Sequence, residues 1–352
     1  MPLELVVNSP RDIGYAEYDE RAPAGSEVLV QTSVSGIKSG TEINLYRGQV
    51  PFAAETWDSS LRVFRPIGDG EQVTPFFPHT LGSWAAGVVR QVGPGVRRFQ
   101  PGDYVHGEWK HRQSAILQES QLYPVAEQSD CESMIFTDPA RFALAAIHDA
   151  AIKLGDRVAI FGLGAIGLLA AQMARLSGAG QISVVDPVQA RLDLALSLGA
   201  DVAVNPTQCD AGIAIKEATH RLGVDVALEI SGVYAALQQA IRCVHRGGLV
   251  VTASYYADQD SGVDLAREWH HNRITLRSSM PVWGNSLRHH PMWDMARLEQ
   301  TAVKQLEEGR LQVKPLIGAR IPFEQAAEAY AVIDLLPNEK IKILLTYANG
   351  SA

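Results

Sequence analysis

The sequence predicts an α/β protein in which a β-rich, barrel-like domain is followed by a doubly wound parallel sheet. Short β-rich stretches separated by Gly and Pro occupy roughly the first 125 residues, a pattern typical of a barrel. From about residue 142, purely apolar strands alternate with longer helical segments. Strands without polar alternation are buried on both faces, as a parallel sheet covered by helices requires.

The elements of this fold can be read in order along the chain. The barrel-like strands are predicted at 27–37, 85–93 and 102–109, after a first strand near the start. The strands of the parallel sheet are RVAIFG, QISVVD, ADVAVN, VDVALEISG, GGLVVTAS and ITLRSSM. The helices between them include GLLAAQMARLSGA, VQARLDLALSLGA and YAALQQAIRCVHRGG. A helix MWDMARLEQTAVKQLEEG and a last strand KIKILLTY are predicted near the end.

The length of 352 residues fits two domains. We predict that residues 1–140 form the first part of the barrel-like domain, 141–283 the doubly wound domain, and 284–352 a return to the first. The segment 51–75 has no clean period and is predicted to be a long loop.

Composition limits the classes of partner. The chain is 46% hydrophobic and 20% charged, as expected for a packed globular protein. Its net charge of -8 gives no general attraction to nucleic acid or anionic membranes, so the expected partner is a small molecule. Three cysteines without metal-ligand spacing and a start without a secretory pattern favour the cytoplasm. Glycines interrupt the most apolar run, 158–174, which is therefore predicted to be a buried strand and helix start.

A glycine-rich turn follows the predicted strand RVAIF. Gly162, Gly164 and Gly167 form a G-x-G-x-x-G pattern that opens a helix, with Ala165 and Ile166 at its start. The first glycine permits a tight turn, the second a close approach to a pyrophosphate, and the third close helix packing. The helix N-terminus presents N–H groups and a positive dipole end to phosphates. The pattern predicts a dinucleotide site.

The next strand supplies the acidic residue that such a site needs. QISVVD ends in Asp186, whose carboxylate is expected to accept the ribose hydroxyls and to repel the 2′-phosphate of NADP. NAD is therefore the predicted cofactor, although Arg191 leaves an NADP preference open. Strand ends at the same edge of the sheet are further candidates to line the cofactor crevice: Ser231, Gly232, Ser254 and Tyr255.

Four segments carry a resemblance over nearly the whole chain. They are GIKSGTEINLYRG at 36–48, PHTLGSWAAGVVRQVGPGVRRFQPGDYV at 78–105, GLGAIG with Asp186, and PLIGARIPFEQAAEAY at 315–330. The chain resembles the medium-chain dehydrogenase/reductase superfamily, which implies a GroES-like β-barrel catalytic domain and a Rossmann domain. GTEINLYRG and HHNRITLRSS resemble most a zinc-independent branch that includes bacteriochlorophyllide dehydrogenases and related alcohol dehydrogenases. We expect a homodimer.

The resemblance also shows where a catalytic zinc would be bound. Lys38 or Ser39 occupies the position of the cysteine ligand, Ser83 and Trp84 replace a histidine and a glutamate, and Phe142 lies near the third ligand position. A zinc site needs three N, S or O ligands, which these residues do not provide. The sequence therefore predicts an enzyme without metal.

Without zinc, other groups must stabilise charge at the reacting oxygen. Lys38 is the first candidate, because an ammonium can donate hydrogen bonds to that oxygen, but it could instead only pair with Glu42 four residues on. Thr41 corresponds to the proton-relay hydroxyl of the family, with helix capping as the alternative. Glu42 would orient Lys38 or complete the relay. The predicted substrate pocket comprises Ser39, Tyr46, Trp84 and Phe142.

Three functions remain open at this point. The first is NAD-dependent interconversion of a secondary alcohol and a ketone on a bulky or polyhydroxylated small molecule. The second is zinc-free, NAD(P)H-dependent reduction of a quinone or conjugated enone, against which Asp186 argues. The third is a protein that binds the dinucleotide without turnover, against which Lys38, Thr41 and Glu42 in one short segment argue.

Overall fold

The computed structural model describes residues 1–49, 55–68, 76–256, 262–280 and 293–348. The chain forms two compact units. Unit 1 comprises Met1–Val125, Asp130–Ile135 and Ile317–Ala352, and unit 2 comprises Ala126–Ser129 and Phe136–Leu316. The boundaries predicted from the sequence, at 140/141 and 283/284, stay a prediction. No helix in the described ranges has the length and apolar character needed to cross a bilayer.

Unit 1 is built mainly of strands. These are β1 (Leu3–Ser9), β2 (Asp12–Glu17), β3 (Glu27–Gly36), β4 (Glu55–Asp58), β5 (Val63–Pro66), β6 (His79–Thr80), β7 (Trp84–Val92), β8 (Tyr104–Gly107), β9 (Ser114–Gln118), β10 (Leu122–Pro124), β17 (Ile317–Pro322) and β18 (Lys342–Thr346). Its helices are α1 (Ser39–Tyr46), α2 (Cys131–Met134) and α10 (Ala326–Leu335).

The large sheet of unit 1 runs in the order β10-β8-β7-β3-β18-β17, and β9 also pairs with β3. The closing segment returns to this sheet, since β18 pairs antiparallel with β3 through Leu345 and Ser35. Val28, Val30 and Val34 on β3 are buried, because the strand has neighbours on both edges and core on its faces. The strand therefore holds the start of α1, which follows it, against the core.

The segment predicted to be a long loop contains a hairpin in its described part. Strands β4 and β5 pair antiparallel, and the rings of Trp57 and Phe64 lie 4.9 Å apart across the pair. The turn is closed by the Asp58 carboxylate, which accepts the backbone N–H groups of Ser60 and Leu61. Cross-strand aromatic packing and this turn explain a hairpin where no clean period is visible. The rest of the predicted loop lies outside the described residues.

Unit 2 alternates strands and helices. The strands are β11 (Arg157–Phe161), β12 (Gln181–Val185), β13 (Val202–Val204), β14 (Val224–Glu229), β15 (Val244–Thr252) and β16 (Thr275–Ser278). The helices are α3 (Thr137–Ala150), α4 (Ala165–Leu176), α5 (Gln189–Ser197), α6 (Ala211–Ala218), α7 (Tyr234–Cys243), α8 (His270–Asn272) and α9 (Met295–Glu307).

The predicted doubly wound sheet is confirmed. Its six strands are all parallel in the order β13-β12-β11-β14-β15-β16, which is the 3-2-1-4-5-6 order of a Rossmann domain. One predicted helix end differs from the structure, and one helix was not among those named from the sequence. The helix predicted to include VHRGG ends at Cys243, because Val244 already pairs with Val224 of β14. Helix α6 was not predicted; the Asp210 side chain caps it by accepting the N–H of Ile213.

Candidate functional site

The glycine-rich turn joins β11 to α4 in unit 2. Gly162 has φ +91°, and a Cβ there would lie 2.8 Å from the backbone nitrogen of Ser231. A Cβ on Gly167 would lie 1.8 Å from the carbonyl oxygen of Gly162, so the helix packs on the turn backbone to backbone. Both positions therefore exclude every side chain.

The middle glycine faces open space instead. Gly164 is the N-cap residue of α4, and a Cβ built on it meets no atom within 4 Å. Ala165 and Ile166 form the first turn, whose backbone N–H groups have no carbonyl acceptor further back in the helix. Open space in front of a helix N-terminus is suited to the phosphates of a dinucleotide.

Asp186 stands immediately after β12 and is 3% exposed. Its Oδ2 accepts the N–H of Leu163 in the glycine-rich turn at 2.7 Å, and its Oδ1 accepts the N–H of Val188 at 2.9 Å. The carboxylate is therefore fixed against the turn, with lone pairs left for further donors. Arg191 lies on α5 with Nη1 3.9 Å from Oδ2.

The last residue of β14 is a buried carboxylate that the sequence did not single out. Glu229 is buried, and its Oε1 accepts the N–H of Ser231 at 2.7 Å and that of Gly232 at 3.2 Å. Burial raises the pKa of this carboxyl and outweighs the hydrogen bonds that lower it. Gly232 has φ +73°, and a Cβ there would lie 2.7 Å from the carbonyl oxygen of Tyr255. The turn after β14 thus packs on the backbone after β15.

The predicted residues after the two strands surround this turn. Ser231 hydrogen-bonds Glu229 through its hydroxyl as well as its backbone. Ser254 is half-buried, and Tyr255 is exposed. The structure therefore brings backbone atoms of four residues close together at one edge of the sheet: Gly162, Ser231, Gly232 and Tyr255.

A second polar site lies at the start of α1 in unit 1. Lys38 is the N-cap residue of this helix and is half-buried. Glu42, one turn on, is 3% exposed, and its Oε1 accepts the backbone N–H of Lys38 at 3.0 Å. Its Oε2 accepts from His111 Nε2 at 3.1 Å and from the Tyr330 hydroxyl. One buried carboxylate thus joins the helix start to two distant residues.

The neighbours of Glu42 decide its charge. Burial alone would raise the pKa of this carboxyl, but the Coulombic interaction with His111 and the hydrogen bonds from His111, Tyr330 and the Lys38 amide lower it to about 2. The carboxylate is therefore ionised at neutral pH.

A chain of hydrogen bonds holds His111 at the ring nitrogen that does not bond Glu42. His111 is fully buried, and its Nδ1 lies 2.7 Å from the Ser35 hydroxyl, which lies 2.9 Å from the Tyr347 hydroxyl. Both ring nitrogens are bonded, so the imidazole cannot rotate without breaking a buried hydrogen bond. The Tyr330 ring is also fully buried and lies 5.6 Å from the ring of Tyr46.

The other residues predicted on α1 are placed differently. Thr41 is exposed, and its backbone N–H donates to the Lys38 carbonyl oxygen at 3.0 Å. The N-cap position belongs to Lys38, so capping by Thr41 is not what the structure shows. Ser39 is half-buried, whereas Tyr46 is 6% exposed and packs in the core.

Trp84 opens β7 and is 1% exposed. Its Nε1–H donates to Nδ1 of the buried His106 at 3.2 Å, so the ring hydrogen of neutral His106 lies on Nε2. Burial lowers the pKa of His106 to about 3. Among the described residues, neither His106 Nε2 nor the Ser83 hydroxyl has a hydrogen-bond partner, although both atoms are buried. Phe142 lies half-buried on α3, in unit 2.

The side chains in unit 1 at the positions that the resemblance assigns to zinc ligands do not carry the usual ligand groups. Lys38 offers an ammonium and Ser39 and Ser83 hydroxyls, whereas zinc sites use thiolate, imidazole and carboxylate ligands. The Glu42 carboxylate, four residues after Lys38, already accepts three hydrogen bonds. Over the ranges that the structure describes, no three His, Cys, Asp or Glu side chains lie together in a metal-binding arrangement.

Glu42→Gln should remove an acid-dependent part of the stability. The pKa of this carboxyl is lowered from 4.5 to about 2 on folding, so its stabilisation is complete above pH 4.5 and is lost as the pH falls towards 2. Glu42→Gln should therefore lower the free energy of unfolding more at pH 7 than at pH 3. Urea unfolding of the parent protein and of Glu42→Gln at several pH values measures the difference between their free energies of unfolding. Equal differences at pH 7 and at pH 3 would contradict it.

His111, Tyr330 and Glu229 are functional candidates that the sequence did not reveal. His111 and Tyr330 lie 69 and 288 positions from Glu42 along the chain, so no local pattern connects them. Glu229 had a visible signal, since it is a carboxylate at the end of an otherwise apolar strand, VDVALE.

Comparison with known proteins adds a family and a function class. A family model described as zinc-binding dehydrogenase matches residues 165–295, which lie inside unit 2. D-guloside 3-dehydrogenase of Escherichia coli is 31% identical over 98% of this chain and 99% of that protein. L-threonine 3-dehydrogenase of Pyrococcus abyssi is 26% identical over 94% of both chains.

Solved structures share the fold. An Escherichia coli oxidoreductase of unknown specificity has a TM-score of 0.81 at 21% identity, covering 99% of this chain and 100% of that one. The 2R,3R-butanediol dehydrogenase of Bacillus subtilis has a TM-score of 0.78 at 22% identity over the same shares of the two chains. At these identities the likeness establishes the two-domain α/β fold.

Proposed function

Because this chain belongs to the zinc-binding dehydrogenase family of the medium-chain dehydrogenase/reductase superfamily and is an alcohol-type oxidoreductase, we propose that it interconverts a secondary alcohol and a ketone on a polyhydroxylated small molecule, with NAD as cofactor and without zinc. The observation that carries the cofactor assignment is the fixed Asp186 carboxylate beside the glycine-rich turn. The glycine-rich turn and Asp186 would hold the dinucleotide, whose nicotinamide would supply the hydride acceptor for the oxidation.

NAD is favoured by charge and geometry together. The hydrogen bonds from Leu163 and Val188 hold the Asp186 carboxylate in place, where ribose hydroxyls can donate to its remaining lone pairs. A 2′-phosphate at the same place would bring two anions together. Arg191 lies within ion-pair distance of that carboxylate. The carboxylate therefore offsets part of the positive charge with which Arg191 could bind a phosphate.

NADH should bind at least tenfold tighter than NADPH, which is about 1.4 kcal/mol. The physical reason is the repulsion between Asp186 and the 2′-phosphate. Titration of the purified protein with both cofactors, followed by nicotinamide fluorescence, measures the ratio. Asp186→Ser should narrow it, and equal affinities in the unmodified protein would overturn the NAD assignment.

The substrate class rests on the relatives and on the expected site residues. The guloside dehydrogenase acts on a glycoside by its name, and it covers 98% of this chain. The proposal is tested by measuring the oxidation of a panel of methyl D-hexopyranosides with NAD⁺, with simple alcohols as the comparison. The glycosides should be oxidised faster than the simple alcohols. An enone and quinone panel with NADH tests the alternative reductase, and turnover of those compounds alone would replace the proposal.

In the proposed mechanism, Lys38 and Thr41 act on the substrate oxygen. During reduction the Lys38 ammonium donates a proton to the carbonyl oxygen as hydride adds to the carbon, and during oxidation the neutral amine takes the hydroxyl proton back. The Thr41 hydroxyl, exposed on the first turn of α1, hydrogen-bonds the same oxygen. Glu42 fixes the main chain from which Lys38 projects.

The zinc-free proposal is supported by the donor groups present, since Lys38, Ser39, Ser83 and Phe142 hold the positions that the resemblance assigns to metal ligands. We expect the purified protein to contain no stoichiometric zinc and to keep its activity after dialysis against a strong chelator. Elemental analysis and an activity assay on one preparation check both statements. One tightly bound zinc per chain, with activity lost on chelation, would overturn this part of the proposal.

A further inference from the structure

The Glu42 carboxylate connects the start of α1 to two side chains from remote parts of unit 1. His111 precedes β9, and Tyr330 lies in the middle of α10. Both donate to Oε2 of Glu42, while Oε1 accepts the Lys38 backbone N–H. We propose that His111 and Tyr330 are positioning residues for catalysis, which through Glu42 fix the main chain of Lys38 and so the place that its ammonium reaches. This inference rests on the proposed function of Lys38.

The two oxygens of a carboxylate lie in one rigid plane and move together. The donors that bind Oε2 of Glu42 therefore also set the position of Oε1. If a donor to Oε2 is removed, the Glu42 side chain can rotate, and Oε1 then no longer lies 3.0 Å from the Lys38 nitrogen. Glu42, His111 and Tyr330 are 3%, 0% and 0% exposed, so solvent does not replace a missing donor without rearrangement.

The surroundings keep both donors in fixed orientations. His111 is bonded at Nδ1 to Ser35, which lies on the central strand β3. Tyr330 packs in the hydrophobic core of unit 1, in ring contact with Tyr46. Strand β3 runs through Gly36 and Ile37 directly into Lys38, and the Lys342 ammonium donates to the Ile37 carbonyl oxygen at 2.9 Å. Lys342 and Glu42 therefore hold the two polar atoms of the peptide unit that joins Ile37 to Lys38.

A positioning role makes a different prediction from a purely structural one. A structural hydrogen bond stabilises the folded chain, and its loss lowers the melting temperature without changing turnover of the folded enzyme. A misplaced catalytic group lowers kcat while substrate binding by other residues is retained, and a displacement of about 1 Å can cost on the order of 10²-fold in rate. The ratio of the change in kcat to that in KM separates the two roles.

The test uses Tyr330→Phe, His111→Ala and His111→Gln, each alone and combined with Lys38→Met. The assay is oxidation of the methyl D-hexopyranoside with the highest turnover, with NAD⁺. Tyr330→Phe and His111→Ala should each lower kcat about tenfold or more with little change in KM. His111→Gln, whose amide N–H can reach Glu42 as Nε2 does, should recover most of the loss. In the Lys38→Met background none of the three should lower kcat further.

Tyr18→Phe is the matched control. It removes a tyrosine hydroxyl of the same unit that bonds Ser114 and not Glu42. It should affect melting temperature only.

The outcomes separate the two proposals. If no methyl D-hexopyranoside is oxidised, the proposed function is wrong. If Lys38→Met leaves kcat unchanged, Lys38 takes no part in the mechanism. In either case the positioning role is overturned. If Lys38→Met lowers kcat but Tyr330→Phe and His111→Ala both match the parent in kcat, the function stands and the positioning role is overturned. Additive losses in the Lys38→Met background would also overturn it, because the residues would then not act through Lys38.

Discussion

Lys38→Met should lower turnover by about 10²–10⁴-fold while leaving the fold and NADH affinity intact. The residue is the N-cap of α1 in unit 1, and the glycine-rich turn belongs to unit 2, so the substitution removes the ammonium and changes no residue of that turn. Steady-state kinetics, NADH titration and thermal unfolding on one preparation measure the three quantities.

Lys38→Arg is the informative companion to this variant. A guanidinium keeps the positive charge but is bulkier and does not readily release a proton, so it should restore only part of the rate. If Lys38 serves only as a partner of Glu42, Lys38→Met should lower the melting temperature and leave turnover of the folded enzyme nearly unchanged. That result would remove Lys38 from the proposed mechanism.

Gly167→Ala should abolish measurable NADH binding, with a loss of affinity of about 100-fold or more, equivalent to about 2.7 kcal/mol. The new Cβ would lie 1.8 Å from the Gly162 carbonyl oxygen, so the helix and the turn must separate. Because the clash is with backbone, no change of side-chain conformation relieves it. The melting temperature should fall as well.

Gly164→Ala is the matched control for that variant. A Cβ at Gly164 meets no atom within 4 Å, so the protein should keep its melting temperature. If this open space receives the pyrophosphate, Gly164→Ala should nevertheless weaken NADH binding. A variant with full NADH affinity would show that the cofactor does not approach the turn at this residue.

Features decided by local spacing could be predicted from the sequence. The six strands, the glycine pattern and Asp186 lie where the sequence predicts them, and Gly164 faces open space as the pattern requires. The edge strand β16 differs from the prediction because it is mostly exposed and not buried on both faces. These features depend on neighbours within a few residues or on burial of whole strands, and both leave a visible pattern in the chain. The roles assigned to the individual site residues stay predictions.

Other features were invisible or misread. The hairpin of β4 and β5 stands where the sequence predicted a loop, because its aromatic pair and Asp58 turn produce no simple period. The end of α7 was placed too late, since pairing of Val244 with Val224 overrides the helical pattern of VHRGG. In each case a contact made by folding outweighs a local preference.

The sequence by itself determined the parallel sheet, the glycine-rich turn and the position of the acidic residue after β12, because the hydrophobic period, the residue spacing and the residue types specify these features. Only the tertiary structure decided the state of Glu42. A helix pattern connects this residue with Lys38 four positions before it, but its side-chain partners are His111 and Tyr330, 69 and 288 positions away. Such partners are selected by the packing of β3, α1 and α10 into one core, where a buried carboxylate must find donors wherever the chain supplies them.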